Sequence, residues 1–381
     1  MRYPEEDLIA LLKNAGVDFT SSLPCEKIGR LLEMVETEFS NPPLRHVPLT
    51  REEEGVGISA GAALAGKRPA MFVQSSGIGN MLNALLSLTG FYELPLALFV
   101  SQRGIYKEKI AAQLPMGRRL PKILRAAGVP FSIISTRGDF GTVEKKLDTV
   151  YKKNKTHAFL MSPAIWEESA KKGTPQAPLH PIAGSRLKHS ATRLVPHLTR
   201  FAVLNIIAPY LNNKVVVCNL GFPSKELFYV HHQPSNFYML GSMGMATPVG
   251  LGVSLSTEKE VVVIDGDGSL LMNPGSLATA ALLTPRDLTI FAIDNSAYGS
   301  TGNQPTLTGS CVDLELTAKG FGIKNTLKAA TEKQFVDAMK KKGKGPRFIH
   351  ALAVSGNRDV PNIDVPHLEI KKQFQEFLRG K

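Results

Sequence analysis

The chain has 381 residues, room for two ordinary domains, and its 43 % hydrophobic and 20 % charged residues are the balance of a globular protein. Three cysteines are too few for a disulfide scaffold, and the apolar window at 81–100 is broken by Asn83, Glu93 and Pro95, which argues against a membrane span. The net charge of +12 comes from scattered lysines without interleaved aromatics, so neither nucleic acid nor a membrane is an expected partner, whereas anionic small molecules fit.

The start, Met1 to Glu6, leads into a helix rather than a cleavable signal, so a cytoplasmic location is expected. Leu8, Leu11 and Leu12 give the segment 5–14 one apolar face, and Gly16 ends it. A strand is expected at 17–20, with Leu23-Pro24-Cys25 as its loop, and a helix at 26–39. After a short strand at 46–49, Thr50-Arg51-Glu52-Glu53 has the spacing of a capping box, Thr50 as N-cap and Glu53 at N3. The helix it opens is built from small residues (Gly55, Gly57, Ser59, Ala60, Gly61) and must pack closely against something. Strands follow at 69–74, 96–100, 130–135 and 158–161. Ser75 to Asn80 is a glycine-rich loop into a helix, and Arg103-Gly104 begins a long polar loop. This alternation describes one parallel-sheet α/β unit.

Residues 171–194, rich in Pro, Gly, Lys, Ser and His without periodicity, read as a linker between domains at 1–170 and 195–381. The second unit runs helix (195–211), strand (215–219), loop, and a helix from Lys225. Gly241-Ser242-Met243-Gly244 opens another helix of small residues. The apolar run at 260–264 is expected as a strand ending in Asp265-Gly266-Asp267-Gly268, and 288–293 as one ending in Asp294-Asn295. Asp267 and Asn295 then sit at the ends of two strands joined by one helix, where such sheets bind ligands. A carboxylate and an amide oxygen there suit Mg²⁺, which also takes phosphate oxygens and water. A turn with an Asx cap is the alternative. A last strand is expected at 347–354, and the amphipathic tail helix at 367–378 would dock or mediate assembly.

Gly266-Asp267-Gly268, about 26 residues and then Asn295 resembles the thiamin-diphosphate (ThDP) signature. Further motifs are Thr50 to Gly55, Gln74 to Asn80, Ala112 to Arg118, Gly221 to Leu227, Gly241 to Gly244 and Asn295 to Gln304. With them the chain is similar, over nearly its whole length, to the sulfopyruvate decarboxylase family, with that enzyme's two subunits joined. Phosphonopyruvate decarboxylase is a relative. It carries Asp-Glu-Pro-Gln-His in the loop after Arg-Gly, where this chain has Lys109 to Gln113, and the difference favours the sulfonate substrate.

The resemblance implies an α/β fold of two ThDP-binding domains, each a parallel sheet flanked by helices. The pyrimidine-binding (PYR) domain comes first, the diphosphate-binding (PP) domain second, with no middle domain. It implies ThDP- and Mg²⁺-dependent decarboxylation of 3-sulfopyruvate, an anionic 2-keto acid, to sulfoacetaldehyde and CO₂, a lyase step of coenzyme M synthesis in methanogenic archaea. Phosphonopyruvate or another 2-keto acid is the alternative substrate. A catalytically silent ThDP-fold subunit is an alternative of another class, against which Glu52 and the Asp267–Asn295 pair argue.

Residue by residue, Glu52 matches the family's catalytic glutamate when Gly61 is aligned with the family's glycine in the small-residue helix. That glutamate binds the pyrimidine N1′ and promotes deprotonation of the thiazolium carbon. Met243 matches the apolar prop of the bent cofactor, and the Gly241 carbonyl the acceptor for its amino group. Asp267, Asn295 and the Ala297 carbonyl would hold Mg²⁺. Gly268 and Ser269 would meet the diphosphate, as would Ser224 unless it is an ordinary N-cap. Arg103, Gln113 and Arg118 are candidates for the substrate's anionic groups, and Asn80 would face the cofactor or cap its helix. The family's cofactor lies between the PYR domain of one unit and the PP domain of another, so a homodimer or higher assembly is implied.

Overall fold

The computed structural model describes residues 3–167, 169, 194–341 and 343–380; the expected linker lies outside them except for Leu194. The N-terminal half holds six strands: β1 (Phe19–Ser22), β2 (Arg45–Pro48), β3 (Pro69–Gln74), β4 (Leu96–Ser101), β5 (Phe131–Ile134) and β6 (Thr156–Met161). All pair in parallel, in the order β2-β1-β3-β4-β6-β5. The helices between them are α1 (Pro4–Asn14), α2 (Gly29–Phe39), α3 (Glu52–Leu64), α4 (Ile78–Ala84), α5 (Leu114–Ala126) and α6 (Phe140–Lys153). β4 and β6 are buried along their whole length, which is why they read as continuous apolar runs rather than alternating ones. Phe72, Phe99 and Phe159 are register partners on β3, β4 and β6, and their rings stack at 5.0 and 4.7 Å.

The C-terminal half repeats the plan. Its strands are β7 (Val215–Cys218), β8 (Asn236–Tyr238), β9 (Val261–Gly266), β10 (Leu288–Asp294), β13 (Asn325–Ala329) and β14 (Arg347–Leu352), with a small hairpin of β11 (Ala297–Tyr298) and β12 (Gln304–Pro305). The parallel order is β13-β14-β10-β9-β7-β8. The helices are α7 (Arg200–Ile207), α8 (Phe222–Val230), α9 (Ala246–Ser254), α10 (Asp267–Met272), α11 (Gly275–Leu283), α12 (Leu314–Gly320), α13 (Glu332–Lys340) and α14 (His367–Leu378). The expected fold is therefore the observed one. Boundaries move: α7 starts five residues after the expected Val195, and α8 starts at Phe222 because Pro223 suits a first helical turn.

The small-residue helices meet each other. α3 crosses α9 so closely that a Cβ on Gly61 would lie 2.1 Å from the Val249 carbonyl, and one on Gly252 2.0 Å from the Ile58 carbonyl. Backbone atoms cannot yield as side chains can, so Gly61→Ala is expected to cost about 1–3 kcal/mol or more, read in a denaturant melt. The tail helix α14 docks, as one of its two expectations had it. Phe374 is fully buried beside Phe237 of the C-terminal half, while His367 stacks on Phe91 of the N-terminal half at 4.0 Å.

Candidate active site

β9 and β10 are neighbours, with Gly266 opposite Ile293, so the residues just past their ends come together. A cleft of about 130 Å³ forms there, walled by Asp267, Gly268, Ser269, Asn295 and Ala297 together with Met243, Leu220 and Pro223. Asp267 is 3 % exposed. Its Oδ2 accepts from the Thr306 hydroxyl, and the single Thr308 O–H is shared between that oxygen at 3.1 Å and Asp294 Oδ1 at 2.7 Å. Burial pushes the Asp267 carboxyl up to about 6; the Thr306 hydrogen bond opposes this and the charge of Asp294 adds to it. Ser269 Oγ accepts from Gly244 N–H, which ties the cleft floor to the Gly241 turn. That turn is fastened to the N-terminal half through Ser242 and Ser87, whose Oγ atoms are 2.6 Å apart. Ser224 departs from expectation: its hydroxyl is buried and donates to the Asn219 carbonyl at 2.8 Å, so it is not offered to the cleft.

Three adjacent glutamates open α3, and the structure separates their tasks. Glu54, rather than the expected Glu53, makes the back-bond of the helix start, accepting from the N–H and hydroxyl of Thr50 at 2.9 and 2.6 Å. The N-cap is Arg51, one residue later than expected, which moves N3 to Glu54. Glu53 pairs with Arg51 at 3.7 Å. Glu52 is 5 % exposed and accepts from Asn80 Nδ2 at 3.0 Å. It packs on Gly77, where a Cβ would lie 2.4 Å from Glu52 Cγ, so only glycine lets the loop after β3 come this near.

The polar loop after β4 is held together by one buried ion pair. Arg103 is buried and held bidentately by Glu108, Nε–Oε2 at 2.6 Å and Nη2–Oε1 at 2.8 Å, which holds the Glu108 carboxyl down at about 2. Glu108 also accepts from the Gly104 and Ile110 N–H groups. Glu108 therefore folds the loop and fixes the orientation of the Arg103 guanidinium. Arg118 is exposed on α5, and Gln113 is half-buried with its Oε1 unpartnered.

Comparison with known proteins fits this geometry. Residues 5–119 match the thiamine pyrophosphate enzyme N-terminal TPP binding domain, and residues 222–351 the C-terminal TPP binding domain. The chain is 40 % identical to the sulfopyruvate decarboxylase of Methanosarcina acetivorans, across 99 % of this chain and 98 % of that one. The chain belongs to the ThDP-dependent sulfopyruvate decarboxylase family. It is also 32 % identical to a phosphonopyruvate decarboxylase of Streptomyces viridochromogenes, across 98 % and 94 % of the two chains. The sulfopyruvate decarboxylase subunit beta of Methanococcus maripaludis is 45 % identical over 48 % of this chain and 98 % of its own.

ThDP is thus the cofactor, and the cleft fits its metal-bound diphosphate. Asp267 is a buried carboxylate with no basic partner among the described residues, whereas its neighbour Asp294 is paired with His350 at 2.8 Å, so a cation beside Asp267 would offset the cost of burying its charge. Among the described residues the buried Asn295 amide nitrogen has no partner, so it is free to donate to an oxyanion, while its Oδ1 makes only a long contact from the Ala297 N–H at 3.4 Å and keeps capacity for a cation. The donor types, carboxylate, amide oxygen and carbonyl, are those of a hard cation. Sequence reasoning missed Thr306 and Thr308, which orient Asp267 from behind, and Tyr298, which covers Gly268. Thr308→Val removes the hydroxyl shared by two carboxylates. It is expected to weaken Mg²⁺ binding about tenfold, measured by titration calorimetry in the presence of ThDP.

Proposed function

We propose that this ThDP-dependent lyase converts 3-sulfopyruvate to sulfoacetaldehyde and CO₂, with Mg²⁺, as a step toward coenzyme M. The observation that carries the substrate choice is the higher full-length identity to a sulfopyruvate enzyme than to a phosphonopyruvate one. The loop 103–113 supports it, since it lacks the histidine motif of the phosphonate family.

Bound ThDP supplies the electron sink on which CO₂ leaves a 2-keto acid. Glu52, buried and steered by Asn80, is the carboxylate that shares a proton with the pyrimidine N1′. Met243, in the cleft wall, would prop the cofactor, and the Gly241 carbonyl would receive its amino group. Asp267, Asn295 and the Ala297 carbonyl would hold Mg²⁺, and Gly268 and Ser269 would meet the diphosphate. Arg103, Arg118 and Gln113 remain the candidates for the substrate's anionic end. A second copy of the chain completes the site by bringing its Glu52 to this cleft. In support, every residue in the cleft wall belongs to the C-terminal half.

The test is CO₂ release from sulfopyruvate, phosphonopyruvate and pyruvate in parallel, with and without ThDP and Mg²⁺. Release from sulfopyruvate that depends on both additions is expected. Preference for phosphonopyruvate would overturn the substrate assignment, and no release from any would favour a silent ThDP-binding subunit.

A further inference from the structure

Arg200 opens α7 and lines the ThDP cleft, although no motif marked it. Its side chain is almost wholly buried. Nε donates to Glu226 Oε2 at 2.8 Å, and Nη2 donates to Glu226 Oε1 and to Asn357 Oδ1, both at 2.9 Å. Glu226 is fully buried and takes one further donor, the Arg358 N–H at 3.0 Å. Two nitrogens of the fork are therefore locked, and a locked guanidinium keeps both its orientation and its charge. Among the described residues Nη1 has no hydrogen-bond acceptor.

The rest of the wall says what kind of acceptor completes it. Leu220, Pro223, Met243 and Ile293 are apolar, and Asp267 and Asn295 carry the oxygens for a divalent cation. A cation and an unmet guanidinium N–H in one cleft suit an oxyanion of the phosphate or sulfonate type. The brace is also built into the cleft, because Asn357 Nδ2 donates to the Gly299 carbonyl of the β11–β12 turn at 2.8 Å.

Resting on the ThDP assignment, we infer that Arg200 donates from Nη1 to the diphosphate of the cofactor. Arg200 is a binding residue of the cleft, with Glu226 and Asn357 as its positioning residues. The diphosphate is preferred over a substrate sulfonate because Asp267, Asn295 and Ser269 share the wall with Arg200.

Calorimetric titration of the full chain with ThDP and with thiamin, both with Mg²⁺, separates the possibilities. The variants are Arg200→Lys and the double variant Arg200→Gln/Glu226→Gln, which removes charge and counter-charge together so that no buried carboxylate is stranded. The double variant is expected to bind ThDP about ten- to a hundredfold more weakly and thiamin unchanged, with part of the loss recovered in Arg200→Lys. ThDP affinity within about twofold of wild type in the folded double variant would overturn the proposal. So would equal losses for ThDP and thiamin, which would make Arg200 a brace alone. Unchanged ThDP affinity with a raised KM for sulfopyruvate would assign the contact to the substrate instead. Wild-type protein that takes up no ThDP would overturn the cofactor assignment itself.

Discussion

Glu52→Gln is expected to keep ThDP bound and to lose turnover, with kcat for CO₂ release falling about 100- to 10,000-fold. The amide has the shape of the carboxylate and still offers an oxygen to Asn80, so the loop after β3 stays in place. What disappears is the group that can share a proton. Glu54→Gln is the contrasting variant, because Glu54 serves the helix start through Thr50. It should lower the melting temperature and leave kcat nearly intact. Calorimetry for ThDP beside an assay for CO₂ distinguishes the two. Full activity in Glu52→Gln would remove that residue from the chemistry.

Asp267→Asn should have opposite effects on function and on the metal-free fold. The charge that holds Mg²⁺ is gone, so ThDP affinity in the presence of Mg²⁺ is expected to fall by more than about a hundredfold, beyond the loss seen when an outer partner of a metal is removed. Without metal, however, Asp267 is a buried carboxylate near Asp294, and neutralising it relieves their repulsion. The metal-free variant should therefore melt higher than metal-free wild type. A site tuned for a ligand commonly costs stability in its absence. Unchanged Mg²⁺-dependent ThDP binding would take the metal role away from Asp267.

The parts of the site legible in the sequence were those written as local punctuation. Asp267 and Asn295 follow apolar strand runs, and the small residues of α3 and α9 announce a close crossing. Partnerships made across loops were not legible. Thr306 and Thr308 lie in a polar stretch with no period, and only the β11–β12 turn returns them to Asp267. The pairing of Arg103 with Glu108 gave no signal, because the two are brought together by a loop fold that periodicity does not describe. Ser224 was misplaced because its helix starts earlier, a shift that Pro223 at the first turn could have signalled. Arg200 gave no signal, being a single cation at a helix start whose partners, Glu226 and Asn357, are distant in the chain.

The α3–α9 crossing, overlaid by α14, joins two halves of one polypeptide. In a pair of separate subunits the same meeting would obey a dissociation constant, and unequal synthesis or dilution would strand one half. Within one chain the partners are held at a fixed local concentration, whatever the concentration of the protein. Translation therefore sets their ratio at one to one, and the crossing can be selected for geometry rather than for affinity. Mass action is left to govern only the proposed encounter between copies, so activity that falls on dilution would report that encounter and not separation of the halves.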